Sequence, residues 1–199
     1  KIGVFSTWLD NRTKLVGDGL AQTNYLQVDY HRDGYELDTV QFPHDKKAWY
    51  IHLIDEKVVA EASKVIKDSA PDMSWVYLEY TDDMGHKYGK SPELDTAISM
   101  LDKQMQKIMQ AVSYRENNFN EEWLIIITTD HGRDAQTGKN HGGQSDSERN
   151  TWLIMNKKPA QEVVKTAIVD IFPTIATYLN IKLPIPVAQA LEGVSLLRK

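Results

Sequence analysis

The sequence predicts an α/β protein with a mostly parallel central sheet and helices on both faces of that sheet. Apolar runs typical of strands alternate along the chain with segments of helical periodicity, the order that parallel sheets require. Residues 123–129 are almost continuously apolar, as in a strand that is covered on both sides. Carboxylate and histidine side chains directly follow two predicted strands, where open α/β sheets place their active sites.

Four strands are expected from the apolar pattern. The first covers residues 2–6, and the others cover residues 75–80, 123–129 and 151–155. Between the first two strands, residues 7–50 are polar and rich in turn-forming glycines, so this segment is expected to be irregular.

Helices are expected from periodicity and capping signals. Residues 55–68 have apolar side chains at helical spacing, and Pro71 is expected to stop the helix. Ser91 as N-cap and Pro92 as the first helical residue predict the next helix. Its expected apolar face consists of Leu94, Ile98, Leu101, Met105, Ile108 and Val112. Asp170 is expected to cap a last helix.

Composition limits the classes of function. The 199 residues suffice for one α/β domain with a core of its own. A net charge of −5 does not favour nucleic acid or an anionic membrane as a partner, so no nucleic-acid partner is expected. Because there is no cysteine, disulfides, thiolate metal ligands and a cysteine nucleophile are excluded. No apolar run approaches the roughly 20 residues of a membrane helix.

Asp82 and His86 lie four residues apart after the second predicted strand, in an expected loop that bends at Gly85. If this loop folds back as a helical turn, both side chains can reach one ion. With His141 from the glycine-rich segment 137–143 they form an open three-ligand set suited to catalytic zinc. The alternative is that Asp82 and His86 cap a helix or lie in solvent, and that His141 is an exposed loop residue.

Asp130 and His131 follow the most apolar predicted strand and precede Gly132. Adjacent residues of a strand point in opposite directions, so the turn at Gly132 would have to bring both side chains to one ion. Aspartate, histidine and glycine are also ordinary turn residues. Taken together, the motifs divide five potential ligands into two sites, which indicates a two-metal hydrolase.

These motifs resemble the alkaline phosphatase superfamily, and most closely its nucleotide pyrophosphatase/phosphodiesterase branch. The resemblance extends over residues 75–197. Five motifs carry it in the order of the family: residues 82–89, 128–132, 141–143, 170–175 and 192–196. It implies an alkaline-phosphatase-like fold that is incomplete in this chain.

The resemblance also implies the roles of individual residues. Asp82, His86 and His141 would bind one divalent metal ion, and Asp130 and His131 would bind the second. Zinc is usual in this branch, and manganese or other divalent ions occur in relatives. The implied reaction is hydrolysis of a phosphodiester or pyrophosphate bond in a small phosphorylated substrate such as a nucleotide, through a covalent phospho-threonine or phospho-serine. Family habit implies a periplasmic or secreted enzyme.

Two parts of the family pattern are not found in the sequence: an N-terminal aspartate ligand of the second metal, and a Thr or Ser nucleophile in a Pro-Ser-rich segment. Ser6 and Thr7 end the first strand, but Trp8, Leu9 and Asp10 follow instead of that context. Residues 1–199 are therefore expected to form a single domain that is the C-terminal portion of a larger catalytic domain. No catalytic residue is assigned, and the chain alone is expected to be inactive.

Three alternatives stay open at this point. A sulfatase or a phosphomutase of the same superfamily would share the fold, although the spacing of Asp82 and His86 together with His141 favours the phosphodiesterase branch over a calcium sulfatase. A non-catalytic metal-binding domain is the third. The open ligand set counts against this third alternative, because structural zinc sites normally have four protein ligands.

Overall fold

The computed structural model describes residues 1–160 and 165–198. The chain divides into two compact units, Lys1–Glu121 and Glu122–Lys199, and each unit is described by itself. The expected single-domain organisation of residues 1–199 stays a prediction.

A parallel three-stranded sheet forms the centre of the first unit, as the α/β prediction requires. Strand β1 (Ile2–Ser6) lies between β2 (Tyr30–Arg32) and β3 (Met73–Tyr77), and it pairs in parallel with both. The bounds of β1 agree with the prediction. Strand β3 begins two residues earlier and ends three residues earlier than the expected range 75–80. Strand β2 was not predicted, because its segment is polar and two of its three residues are exposed.

Helix α1 (Trp49–Ser69) connects β2 to β3 and packs against the sheet. Its buried face forms a core with residues of the sheet and the preceding loop: Phe5, Phe42, Ile54, Val58, Ala62 and Val65. The helix begins six residues before the predicted start. The Asp45 carboxylate accepts the backbone N–H of Tyr50 at 3.0 Å, so it satisfies an N–H group of the first turn that has no partner within the helix.

Two further helices complete the first unit, α2 (Tyr80–Tyr88) and α3 (Pro92–Phe119). The predicted cap of α3 is confirmed, since the Ser91 hydroxyl accepts the backbone N–H of Leu94 at 3.2 Å. The predicted apolar face is only partly right, because Ile98 is half exposed while Ala97 is buried. Counting only large apolar side chains misplaced the face, since small alanines allow helices to approach closely.

A two-stranded antiparallel sheet lies in the second unit, formed by β4 (Ile126–Thr128) and β5 (Leu153–Met155). The expectation that residues 123–129 form a central strand covered on both sides is wrong for this unit, because Thr128 is exposed and the ladder is three residues long. Asn156, directly after β5, pairs with residues that precede β4. Its backbone N–H donates to the carbonyl of Ile125 at 3.2 Å, and its side chain accepts the N–H of Ile125 at 2.8 Å and donates to the carbonyl of Trp123 at 2.9 Å.

The described part of the second unit also contains the helices α4 (Asp146–Arg149), α5 (Ile171–Tyr178) and α6 (Ile185–Ala190). Asp170 occupies the N-cap position of α5 as predicted, but its side chain does not cap the helix. Its two carboxylate oxygens instead accept the N–H groups of Ala167 at 2.9 Å and Val194 at 2.8 Å. Helix α5 is also not the last, since α6 follows it. Among residues 1–160 and 165–198, no helix is both long and apolar enough to cross a membrane.

Candidate metal-binding residues

Asp82 and His86 lie on successive turns of α2 in the first unit. The Asp82 Oδ2 atom is 3.2 Å from the His86 Nε2 atom, and both side chains remain accessible, at 24% and 46% exposure. The predicted loop with a bend at Gly85 is wrong, because Gly85 is a buried residue within the helix. The helix nevertheless brings the two side chains together, because residues four apart share one helical face.

A buried carboxylate outside α2 holds the start of this helix. Asp55 of α1 is 1% exposed, and it accepts the backbone N–H groups of Tyr80 at 2.9 Å and Glu79 at 3.2 Å. It also accepts the Thr7 hydroxyl at 2.5 Å. Burial raises the pKa of the Asp55 carboxyl to about 7, and the hydrogen bonds from Thr7, Tyr80 and Glu79 partly offset this effect.

Asp55 was not singled out from the sequence, although a signal for it exists. It shares a helical stripe with Val58, Val59 and Ala62, which are all fully buried. A carboxylate on the apolar face of a helix must find hydrogen-bond donors in the core, since an unpaired buried charge is strongly unfavourable. The spacing 55-58-59-62 therefore identifies a residue with a specific partner elsewhere in the fold.

Neither hydroxyl at the end of β1 is available to attack a substrate. Ser6 and Thr7 are both 0% exposed. The Ser6 hydroxyl accepts the N–H of Trp8 at 3.1 Å and the side-chain amide of Asn11 at 2.9 Å, while Thr7 donates to Asp55. These hydroxyls hold the end of the strand in place.

Asp130 and His131 follow β4 in the second unit. The Asp130 Oδ1 atom lies 3.6 Å from the His131 Nε2 atom. The His131 Nδ1 atom lies 2.9 Å from the carbonyl oxygen of Gly132. Because a carbonyl oxygen only accepts, this hydrogen bond places the proton of the neutral ring on Nδ1 and the lone pair on Nε2. The ring is thus in the tautomer that metal coordination through Nε2 requires.

His141 lies against His131 in the same unit. Their ring centroids are 3.6 Å apart with planes inclined by 14°, and a ring nitrogen of each lies within 4.8 Å of the other. The sequence assigned the two histidines to different ions. That assignment stays a prediction. The Asp130 carboxylate lies beside the His131 ring, and imidazole nitrogen together with carboxylate oxygen fits a divalent ion such as zinc.

Gly132 allows the Asp130–His131 turn to pack against α4. A side chain at this position would bring a Cβ atom to 2.0 Å from the carbonyl oxygen of Ser147 and to 2.7 Å from that of Asn150. The Gly132 N–H group also donates to the carbonyl of Glu148 at 2.8 Å. Both obstructing atoms belong to backbone, so only glycine fits here.

The loop that leads to His141 is organised by Asp134, a residue that was not predicted from the sequence. Its carboxylate accepts the backbone N–H groups of Thr137 at 2.7 Å and Asn140 at 2.9 Å, and the Thr137 hydroxyl at 2.8 Å. These hydrogen bonds hold the pKa of Asp134 well below its ordinary value. The spacing Asp-x-x-Thr is a recognisable signal for such a turn.

Comparison with known proteins agrees with these motifs. The sequence profile of the family "Type I phosphodiesterase / nucleotide pyrophosphatase" matches residues 7–181. A 2,3-bisphosphoglycerate-independent phosphoglycerate mutase from Ureaplasma urealyticum serovar 10 is 31% identical over 153 residues. That alignment covers 73% of this chain and 29% of the mutase, so the chain spans less than a third of this relative. The chain belongs to the type I phosphodiesterase/nucleotide pyrophosphatase family, within the alkaline phosphatase superfamily.

Proposed function

We propose that this chain supplies metal ligands to a two-metal hydrolase that cleaves phosphodiester or pyrophosphate bonds. The observation that carries the proposal is the stacking of His131 on His141. The hydrogen bond to the Gly132 carbonyl holds the ring proton of His131 on Nδ1, which leaves the lone pair on Nε2. Two adjacent imidazoles, one of which lies beside the Asp130 carboxylate, are suited to ion binding. Because the chain belongs to a phosphodiesterase family, the reaction proposed for these residues is hydrolysis of a phosphodiester or pyrophosphate bond.

The proposed ligands fall into two sets. Asp82, His86 and His141 bind one ion, and Asp130 and His131 contribute to the second. Zinc is the proposed metal, since imidazole nitrogen with carboxylate oxygen is a common zinc ligand combination. Two bound ions would polarise the phosphoryl group and offset the negative charge of the transition state. Because the net charge of the chain is −5, the bound ions would supply the local positive charge that attracts an anionic substrate.

The proposed substrate is a small phosphorylated molecule such as a nucleotide or another phosphodiester. We place the nucleophile, a threonine or serine, on a segment outside residues 1–199. The burial and the hydrogen bonds of Ser6 and Thr7 support this placement. Export to the periplasm or the medium is the proposed location, and it rests on the habit of the family.

Phosphoglycerate mutase activity is the second candidate. It is favoured by one observation, the 31% identity to the mutase over 153 residues. A diesterase and a mutase both act on phosphorylated substrates, so the two activities are distinguished by the reaction catalysed and not by binding of a phosphorylated molecule. A protein that isomerises a phosphoglycerate and leaves a diester intact would support the mutase.

The proposal is tested by metal binding and by turnover. Residues 1–199 are expected to bind zinc, measured by competition with a chromogenic chelator, and to hydrolyse bis(4-nitrophenyl) phosphate slowly or not at all. A longer protein that contains this chain is expected to hydrolyse the diester faster than 4-nitrophenyl phosphate or 4-nitrophenyl sulfate. Failure of the chain to bind zinc contradicts the ligand assignment. Robust diester hydrolysis by residues 1–199 would place the nucleophile inside the chain.

A further inference from the structure

Asp55 is a fully buried carboxylate that the proposed chemistry does not use. It lies on α1, and its hydrogen-bond donors come from two other elements of the first unit. Thr7, directly after β1, donates its hydroxyl at 2.5 Å, and Glu79 and Tyr80 at the start of α2 donate their backbone N–H groups. One carboxylate on α1 therefore connects this helix by hydrogen bonds to the end of β1 and to the start of α2.

The start of α2 depends on this carboxylate. The first N–H groups of a helix have no partner within the helix, and they need an acceptor from elsewhere. Glu79 occupies the N-cap position of α2, but its side chain makes no capping hydrogen bond. Asp55 takes that role from a neighbouring helix, accepting from Tyr80 at 2.9 Å and from Glu79 at 3.2 Å. Its partial negative charge also complements the positive end of the helix dipole.

The position of α2 matters because of what the helix carries. Asp82 and His86 follow Tyr80 by two and six residues, on the first two turns of the helix. A helix whose start is free to fray or rotate would move both side chains together. A buried anchor at Tyr80 fixes the start of the helix, and the regular geometry of the helix then carries that position to Asp82 and His86.

We propose that Asp55 is a positioning residue: its carboxylate caps α2 from within the core and thereby holds Asp82 and His86 in place for metal binding. The metal-binding part of this inference rests on the proposed function. The capping part does not, since it concerns the backbone amides of α2 alone. The two parts therefore have separate readouts.

The test compares Asp55→Ala, which removes the cap, with Asp55→Asn, which retains an acceptor oxygen. Val58→Ala is the matched control, because Val58 lies one turn further along α1, is 0% exposed and belongs to the core that α1 forms with the sheet. Hydrogen exchange of the Glu79 and Tyr80 amides and zinc affinity are measured beside Tm. We expect Asp55→Ala to speed exchange of both amides and to weaken zinc binding roughly 10- to 100-fold, as the loss of outer-sphere support typically does.

Rescue by Asp55→Asn is the second expected result, with slow amide exchange and zinc affinity close to that of the original chain. Val58→Ala should lower Tm while leaving both readouts unchanged. If Val58→Ala and Asp55→Ala weaken zinc binding equally at equal loss of Tm, Asp55 is only structural and the proposal is overturned. If the original chain binds no zinc, the proposed function fails, and amide exchange alone decides whether Asp55 caps α2.

Thr7 provides a milder pair of variants for the case in which Asp55→Ala does not fold. Thr7→Val removes the hydroxyl that orients the carboxylate, whereas Thr7→Ser retains it. Faster exchange of the Tyr80 amide in Thr7→Val than in Thr7→Ser supports the proposal. Equal exchange in the two variants, with Tyr80 unprotected in both, contradicts it.

Discussion

The imidazole rings of His131 and His141 stack with centroids 3.6 Å apart, although ten residues separate them in the sequence. The intervening loop folds back on itself because the Asp134 carboxylate collects donors from Thr137 and Asn140. The stack therefore results from a polar loop with its own internal hydrogen bonds, not from a hydrophobic core. This arrangement places two imidazole rings side by side on an accessible face of the second unit.

Removal of either stacked histidine is expected to weaken zinc binding. His131→Ala and His141→Ala each delete a proposed ligand, so each should lower zinc affinity by at least the roughly 10- to 100-fold typical of losing outer-sphere support. Chelator competition measures this effect. His31→Ala is the matched control, since His31 is an exposed histidine on β2. Unchanged affinity in His141→Ala would show that this residue is not a ligand.

Gly132→Ala is expected to displace the turn that carries Asp130 and His131. The added Cβ atom would lie 2.0 Å from the Ser147 carbonyl oxygen, so backbone must move, at a cost of about 1–3 kcal/mol. Zinc affinity should fall with stability. Gly142→Ala is the comparison: its Cβ meets nothing within 4 Å, and the positive φ of 90° is its only source of strain. Equal effects of the two changes on unfolding free energy would contradict the steric argument.

Stability should depend on pH through Asp55. The carboxyl has an ordinary pKa of 3.8 and a pKa of about 7 in the folded chain, so the folded state binds the proton more tightly. This contribution is complete below pH 3.8 and is lost as the pH rises through about 7, an effect on the order of 4 kcal/mol. Asp55→Asn, which mimics the protonated acid, should flatten this part of the profile. Urea unfolding from pH 4 to pH 8 measures it, and parallel profiles would contradict it.

The stability of the loop before His141 should depend on pH through Asp134, in the direction opposite to that expected for Asp55. Its pKa is lowered by hydrogen bonds from backbone, so its contribution is present above its ordinary pKa of 3.8 and is lost as the pH falls below that value. Asp134→Ala should therefore speed exchange of the Thr137 and Asn140 amides at neutral pH and weaken zinc binding. Asp146→Ala is the control in the same unit, because the Asp146 side chain is 92% exposed. Protected amides in Asp134→Ala would contradict the assignment.

Local signals explain the successful predictions. Apolar runs and the Ser91–Pro92 pair identified β1 and the start of α3 correctly, because strands and capped helix ends are encoded by neighbouring residues. The Asp82–His86 pair was also found from spacing, since four residues make one helical turn whatever surrounds them. The same reasoning failed for residues 123–129. An isoleucine-rich run indicates burial, but it does not identify the pairing partner, and here the short ladder with β5 gives way to hydrogen bonds from the side chain of Asn156.

The sequence alone determined the α/β class, the family motifs and the five candidate ligands, because each depends on residue type at short spacing. Only the tertiary structure revealed that Asp55 caps α2, that Thr7 is committed to Asp55, and that His131 stacks on His141. Thr7 and Asp55 are 48 residues apart, and no periodic pattern connects them. Their contact exists because folding buries a carboxylate, and a buried carboxylate is stable only where the packed chain brings donors to it.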